Sequence, residues 1–134
     1  MGTGVIEVVG EDVLCSVPGG AENRFPFDRK LEESLNAWAA RYDRAVDRNN
    51  EGELAAIGPE MHEWLDASRW LTSFLELSGE RVLEIRAAGS DRPRDALLLD
   101  APWELLAGPA GPLAADPDRL RWNPHRNRFL RCAH

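Results

Sequence analysis

The chain has 134 residues, of which 43% are hydrophobic and 29% are charged, and its formal net charge is −7. This is the length of one domain, long enough to bury a real core, and the composition is that of an ordinary globular protein. An acidic chain repels phosphate, which argues against general nucleic-acid binding. No apolar run approaches the roughly 20 residues that span a bilayer. The start lacks a secretory signal, so we expect a cytoplasmic protein that binds neither nucleic acid nor membrane.

The first 27 residues predict a β-hairpin followed by a short extended piece. Two β-branched runs, Val5–Val9 and Val13–Val17, flank Gly10-Glu11-Asp12, which suits an antiparallel hairpin with a three-residue loop. Phe25-Pro26-Phe27 is expected to be extended, because a residue that precedes proline avoids the helical region.

A long amphipathic helix is predicted to begin at Asp28. Apolar residues then recur at helical spacing with charged residues on the other face. They are Leu31, Leu35, Trp38, Tyr42 and Ala45. A second apolar stripe, from Leu54 to Leu65, predicts another helix with a kink or a new start at Pro59. A third stripe runs from Trp70 to Leu77; one long bent helix is the alternative to these two.

The segment after the helices predicts a strand and a loop. Arg81 to Ala87 reads as a strand, and residues 89–93 read as a loop. The apolar run Ala96–Leu99 is either a strand or a lead-in to the segment that follows it. Further on, Leu113-Ala114 and Leu120–Trp122 are expected to pair as short strands around a turn at residues 116–118.

The segment Asp100-Ala101-Pro102-Trp103-Glu104-Leu105-Leu106 combines several consistent signals. Asp100 can cap a short helix, and Pro102 then falls in the first turn, where its missing N–H costs nothing. Gly108 suits the left-handed position after the last turn. Trp103, Leu105 and Leu106 are expected to face the core.

These elements predict an α+β fold. We expect a small, mostly antiparallel sheet built from the first hairpin, the strand near Val82 and the pieces after Trp103. Two or three helices should pack on one face of that sheet.

The segment Pro102–Leu106 also carries a resemblance to a known family. With the Gly/Pro turn after it, then Leu113-Ala114 and Leu120-Arg121, it resembles the signature in the first half of CHAT domains. Those are prokaryotic caspase- and separase-like cysteine protease domains, often found beside TPR repeats. The upstream order, ending in Val82–Arg86, is similar to the N-terminal region of that family. The chain departs from the pattern at Ala101, where an apolar residue usually stands, and in its exit through residues 122–125.

The resemblance implies an organisation and a function. Residues 1–122 would form a single α+β domain that resembles the N-terminal part of a CHAT domain, and residues 123–134 a basic tail. The catalytic His and Cys of that family lie further along, and no position here matches their motifs. The implied function is a non-catalytic docking or regulatory module in prokaryotic defence or cell-death signalling. A half-domain would expose core surface, so we expect a protein partner, a second copy or a caspase-like half, in a homo- or hetero-oligomer.

Alternatives to this function stay open at the level of sequence. One is a stand-alone adaptor whose acidic helical face binds a basic protein. Another is a fragment of a CHAT cysteine protease whose catalytic His/Cys half is on another chain. A third is an enzyme with a shallow site at His62 and Glu63, although a partly exposed helix histidine is the simpler interpretation of His62.

Candidate catalytic and ligand-binding residues are few, and we expect no enzyme activity and no cofactor. Cys15 lies in a predicted strand, where a small buried hydrophobe is expected. Cys132 lies near His134, and His125 precedes them, but no apolar framework would position any of the three for catalysis.

Metal and nucleotide motifs are also missing from the sequence. Asp91, Asp95 and Asp100 are spaced too irregularly for a metal site, and there is no zinc-ligand pattern, P-loop or dinucleotide fingerprint. Glu104 is expected to form a structural ion pair, with Arg121 as the candidate partner.

The charge is unevenly distributed along the chain. From Arg119 to His134 the sequence has five arginines and no acidic residue, so this end carries +5 and the other 118 residues carry −12. A solvated tail is the simplest interpretation, and a site for a phosphate or an acidic partner is the alternative. The arginines are Arg119, Arg121, Arg126, Arg128 and Arg131.

Overall fold

The computed structural model describes residues 2–17, 19–20, 22–77, 81–87, 89, 91–108, 111–112 and 128–131. The strands are β1 (Gly2–Val9), β2 (Asp12–Ser16), β3 (Glu22–Pro26), β4 (Arg81–Arg86), β5 (Ala107–Gly108), β6 (Gly111–Pro112) and β7 (Arg128–Arg131). The helices are α1 (Arg29–Asp47), α2 (Glu51–Leu65), α3 (Trp70–Leu75) and α4 (Arg92–Asp100), with a 3-10 turn at Trp103–Leu105.

Five of the strands form one mixed sheet in the order β3-β2-β1-β4-β7. The middle strand, β1, pairs with β4 in parallel, and the other three pairings are antiparallel. The predicted α+β class is therefore confirmed, and the sheet is mostly antiparallel as expected. The parallel pair arises because three helices separate β1–β3 from β4 in the chain, and such a crossover returns the strand in the same direction.

The strands after Trp103 behave differently from the expectation. Among the described strands, β5 and β6 pair only with each other, in a separate two-stranded sheet, whereas β7 joins the main sheet beside β4. β7 lies inside residues 123–134, the segment expected to be a basic tail. The strands expected at Leu113-Ala114 and Leu120–Trp122 lie outside the described residues.

The β1–β2 hairpin is confirmed with a shorter loop. Val9 pairs with Asp12, which leaves a two-residue loop of Gly10 and Glu11 in place of the predicted three. Gly10 has φ = +62°, a conformation that glycine adopts without steric cost and that tight hairpin turns require. β3 then extends the hairpin, and it includes the extended piece predicted around Pro26.

The first helix follows its sequence signals. The Asp28 carboxylate accepts the Leu31 N–H at 2.9 Å and so caps α1. The predicted stripe packs inward, with Leu31, Leu35 and Trp38 buried.

Two separate helices, α2 and α3, follow α1, as predicted. α2 runs through Pro59 without a new start. α3 begins after a turn in which the Asp66 carboxylate accepts both the backbone N–H and the hydroxyl of Thr72, at 2.8 to 2.9 Å. Desolvation pushes the pKa of Asp66 upward, but these hydrogen bonds outweigh it and hold the pKa below its ordinary value.

The run Ala96–Leu99 is helical, so the strand alternative is wrong, and the run leads into the Pro-Trp turn as part of α4. Asp91 accepts the Arg94 N–H at 3.2 Å and starts α4, and Pro93 lies in its first turn. These are the same start signals that were assigned to Asp100 and Pro102, nine residues upstream of them. Asp100 is the last residue of α4, and Gly108 ends β5 instead of following a helix.

All four helices contribute to one core on one face of the sheet. Ile6, Val13 and Ile85 point into this core from β1, β2 and β4. Val5 is also buried but lies outside the core, because successive side chains of a strand point to opposite faces. Among the described helices, none is long and apolar enough to cross a bilayer.

Candidate functional site

The segment around Trp103 is a structural anchor of the core. The Trp103 side chain is completely buried, and its indole Nε1–H donates to the Leu98 carbonyl at 2.7 Å. Leu106 is also fully buried, whereas Glu104 and Leu105 are half-buried. The expected core position of Trp103 is therefore confirmed. Arg121, the partner expected for Glu104, lies outside the described residues.

A groove of about 430 Å³ opens between β3 and the helices, and we call it the β3 groove. β3 supplies one wall, the first turns of α1 supply the other, and the end of α2 supplies the floor. It is lined by Asn23, Phe25, Pro26, Asp28, Lys30, Leu31, Ser34, Trp64, Ala67 and Ser68. This volume lies in the range of typical ligand sites, which are mostly apolar with a few polar groups.

Aromatic rings connect the β3 groove to the core. The half-buried Trp64 meets Phe25 edge-to-face, with ring centroids 5.6 Å apart. Behind it, Trp64 also contacts Trp38 at 5.6 Å and Trp103 at 6.1 Å. The floor of the groove is therefore held rigidly by rings that are themselves packed in the core.

The polar groups of the β3 groove suit recognition more than catalysis. One oxygen of Asp28 is occupied by the α1 cap, and the Lys30 side chain is exposed. Ser34 and Ser68 bring hydroxyl groups, but among the described residues the lining includes no histidine or cysteine to activate them. The groove can therefore hold an apolar side chain and hydrogen-bond its surroundings.

A second, smaller cavity of about 250 Å³ lies at the other end of α1 and includes Arg41, Arg44 and Arg48. Arg41 bridges α1 to α2, with N–O distances of 2.5 Å to Glu53 and 2.8 Å to Glu60. The hydrogen bond that Arg41 donates to Glu53, together with those that it donates to Glu60, raises the pKa of Arg41 against the opposing effect of desolvation. These ion pairs join two helices and neutralise part of the acidic surface.

The candidate catalytic residues are not brought together. His62 is half-buried and Glu63 is exposed on α2, and neither lines the β3 groove. Cys15 is fully buried, as predicted, and burial raises the pKa of its thiol to about 12, which makes it a poor nucleophile. Cys132, His125 and His134 lie outside the described residues.

The residues that the sequence offered as candidate metal or anion ligands can be placed only in part. Within the described ranges, no group of three His, Cys, Asp or Glu side chains could hold a metal ion. Asp91 caps the start of α4. Asp95, in the first turn of α4, accepts the Gly89 N–H at 2.9 Å. Arg128 and Arg131 lie on β7, and Arg119, Arg121 and Arg126 lie outside the described residues.

Sequence reasoning did not identify the β3 groove. Its signals were present: Phe25-Pro26 suits an edge strand, since proline avoids central strands, and Trp64 falls at the end of its helix. The groove itself depends on how far α1 lies from β3, which no local pattern encodes.

The fold and the groove define a mixed α+β domain with an open site at one sheet edge. No protein-family model matches the chain, and no curated protein or solved structure matches it either.

Proposed function

We propose that this chain is a non-catalytic docking module that binds a protein partner through the β3 groove. The observation that carries the proposal is the open, mainly apolar groove with Trp64 on its floor and no nucleophile–base pair in its lining. A rigid aromatic floor favours tight binding, because little side-chain entropy is lost when a ligand packs on it.

The partner class we propose is an extended peptide segment that places one large apolar side chain between Phe25, Leu31 and Trp64. The groove is open to solvent, whereas small-molecule sites enclose most of their ligand, and this favours an extended peptide over a small molecule. Lys30 at the rim favours an acidic residue beside the apolar anchor.

The wider context we propose follows the resemblance of Pro102–Leu106 to CHAT domains. The chain would work as a regulatory, N-terminal CHAT-like part in prokaryotic defence or cell-death signalling. The second candidate, a protease fragment that is completed by a His/Cys half on another chain, rests on the same residues. Peptidase activity that appears only when such a half is added would favour the second candidate.

Selection from a random peptide display library tests the proposed groove. We expect selected peptides to quench tryptophan fluorescence and to share one large apolar residue. In Ser34→Arg a long charged side chain enters the groove, and binding should fall by about tenfold or more. The matched control is Asn36→Arg, on an exposed position of α1 outside the lining, and it should bind like the parent.

The result can also go against the proposal. A library that yields no binder above background would overturn it, as would peptides that bind the parent and Ser34→Arg equally. Both variants are compared by circular dichroism and melting temperature, so that a loss of binding is not confused with a loss of fold.

A further inference from the structure

β3 is the edge strand of the main sheet, and no strand in the described part of the chain pairs with its outer side. Its side chains alternate between exposed and half-buried, with Glu22, Arg24 and Pro26 exposed. Natural proteins protect such edges with proline, lysine, bulges or covering segments, because an open edge is a template for another strand.

The direction of the backbone groups on β3 follows from one hydrogen bond. The Phe27 N–H donates to the Glu11 carbonyl at 2.9 Å, so residue 27 points its backbone groups toward the β2 side. In an antiparallel ladder this direction alternates along the strand. Asn23 and Phe25 therefore point toward β2, and Glu22, Arg24 and Pro26 point outward. Pro26 has no N–H to offer, which leaves the amides of Glu22 and Arg24 as the outward donors.

We propose that β3 pairs with β3 of a second copy of this chain, antiparallel and with the two-fold axis at Asn23. In that register Glu22 lies opposite Arg24 of the second copy, and Arg24 lies opposite its Glu22. Each of these two pairs exchanges two backbone hydrogen bonds, since all four residues point outward. Opposite charges at directly facing positions also stabilise a strand pair.

The other registers are unfavourable for reasons that the same residues supply. An axis at Arg24 would set Arg24 against itself, and an axis at Glu22 would set Glu22 against itself, so like charges would face each other. A two-fold axis between two neighbouring residues would place an outward-pointing residue opposite an inward-pointing one. Such a pair cannot exchange backbone hydrogen bonds. An axis at Phe25 would set Arg24 opposite Pro26, which has no N–H to donate and no charge to match. Of the axes at Glu22, Asn23, Arg24 and Phe25, the one at Asn23 therefore makes β3 complementary to itself, which is the requirement for a closed two-fold dimer.

The surroundings of β3 accept a second copy. The Arg24 guanidinium lies 3.4 Å from Asp12, and its side chain is 50% exposed, so it can reach a facing carboxylate without losing burial. On the other face the β3 groove leaves space beside the strand. The dimer goes beyond the proposed function, since it uses the backbone edge whether or not a peptide occupies the groove.

Charge reversal at the two facing positions tests the dimer. Sedimentation equilibrium of the parent should show a monomer–dimer equilibrium. Glu22→Arg and Arg24→Glu each turn two attractive pairs into repulsive ones, and each should weaken self-association by about tenfold or more. An equimolar mixture of the two variants should associate like the parent, because every facing pair is again attractive.

Each alternative outcome decides against the dimer. A parent chain that stays monomeric at concentrations up to about 1 mM would overturn it, because the dissociation constant would then be too high for a specific dimer. Self-association that survives both reversals, or a mixture that fails to regain it, would show that another surface is used. Peptide binding by these variants, measured as above, separates a failure of the dimer from a failure of the groove.

Discussion

Trp103 combines a fully buried ring with a 2.7 Å hydrogen bond to the Leu98 carbonyl. Trp103→Ala should lower the free energy of unfolding by about 3–5 kcal/mol, as for other large buried side chains. Trp103→Phe keeps a ring but leaves the Leu98 carbonyl without its donor, and about 2 kcal/mol should be lost. Urea unfolding followed by circular dichroism gives both values.

Trp70 offers the matched control for the hydrogen bond of Trp103. It is equally well buried, but its Nε1–H has no hydrogen-bond acceptor among the residues that the structure describes. Trp70→Phe removes a donor that is already unsatisfied, so it should cost clearly less than Trp103→Phe. Equal losses at the two sites would contradict the role assigned to the Trp103–Leu98 bond.

Cys15 makes the free energy of unfolding depend on pH, and the direction of this dependence follows from the burial of its thiol. Burial raises the pKa of its thiol from 9.0 to about 12, so the folded state keeps the proton that the unfolded state releases above pH 9. The contribution of the neutral thiol to stability is complete below pH 9 and falls as the pH rises from 9 toward 12. At pH 10 the loss should be about 1 kcal/mol.

The measurement compares unfolding at pH 8 and pH 10 in a Cys132→Ala background, with and without Cys15→Ala. Only the chain that retains Cys15 should show the additional loss. A thiol reagent at pH 8 should label Cys15 in urea and leave it unlabelled in the folded chain. Rapid labelling of the folded chain would show that the thiol is not buried.

At the scale of elements, Gly58 sets the distance between α2 and the 3-10 turn. A Cβ at this position would collide with the backbone carbonyl of Leu105. Gly58→Ala should therefore separate the two elements and cost about 1–3 kcal/mol, even though alanine is the better helix former. The same change at Gly52, in the open first turn of α2, meets only the Asn50 side chain at 3.5 Å and should gain about 0.5 kcal/mol.

The urea midpoints of the two glycine variants test whether Gly58→Ala destabilises the chain while Gly52→Ala stabilises it. If Gly58→Ala stabilised the chain as much as Gly52→Ala, helix propensity alone would explain both results. The close approach of α2 to the turn would then have no energetic consequence.

Elements with local signals could be predicted from the sequence. The Asp28 cap and the apolar stripe fixed α1, and β-branched runs around Gly10 fixed the hairpin. Two alternatives are open at Ala96–Leu99 because a short apolar run is compatible with strand and helix, and Asp91, the cap that decides for the helix, lies in the segment predicted to be a loop. The burial of Trp103 followed from the Pro-Trp turn, but no local signal predicted that the end of α4 would accept its hydrogen bond.

The site was less predictable than the fold. Trp64 and Phe25 are 39 residues apart in sequence, and only the packing of α2 against β3 brings their rings to 5.6 Å. The strands β1 and β4, which pair in parallel, are likewise far apart in sequence. Long-range geometry of this kind leaves no periodic mark on either segment.

At the scale of the whole molecule, the sheet should open from its β3 edge. Among the strands that the structure describes, β1 has hydrogen-bonded neighbours on both sides, whereas β3 has one. In dilute solution the outward amides of Glu22 and Arg24 should exchange with solvent at least about tenfold faster than those of Asn23 and Phe25. Amide exchange followed by NMR measures this, and equal rates at the four positions would contradict the assigned directions.

The parallel pairing of β1 with β4 has a consequence for synthesis of the chain. Gly2 finds its neighbour only when Arg81 has been made and has emerged from the ribosome, after α1, α2 and α3. Until then one side of an apolar strand is open, and closing so long a loop is entropically slow. The nascent chain therefore passes through an interval in which β1 can join a foreign strand, and the speed of translation through the helices sets how long that interval lasts.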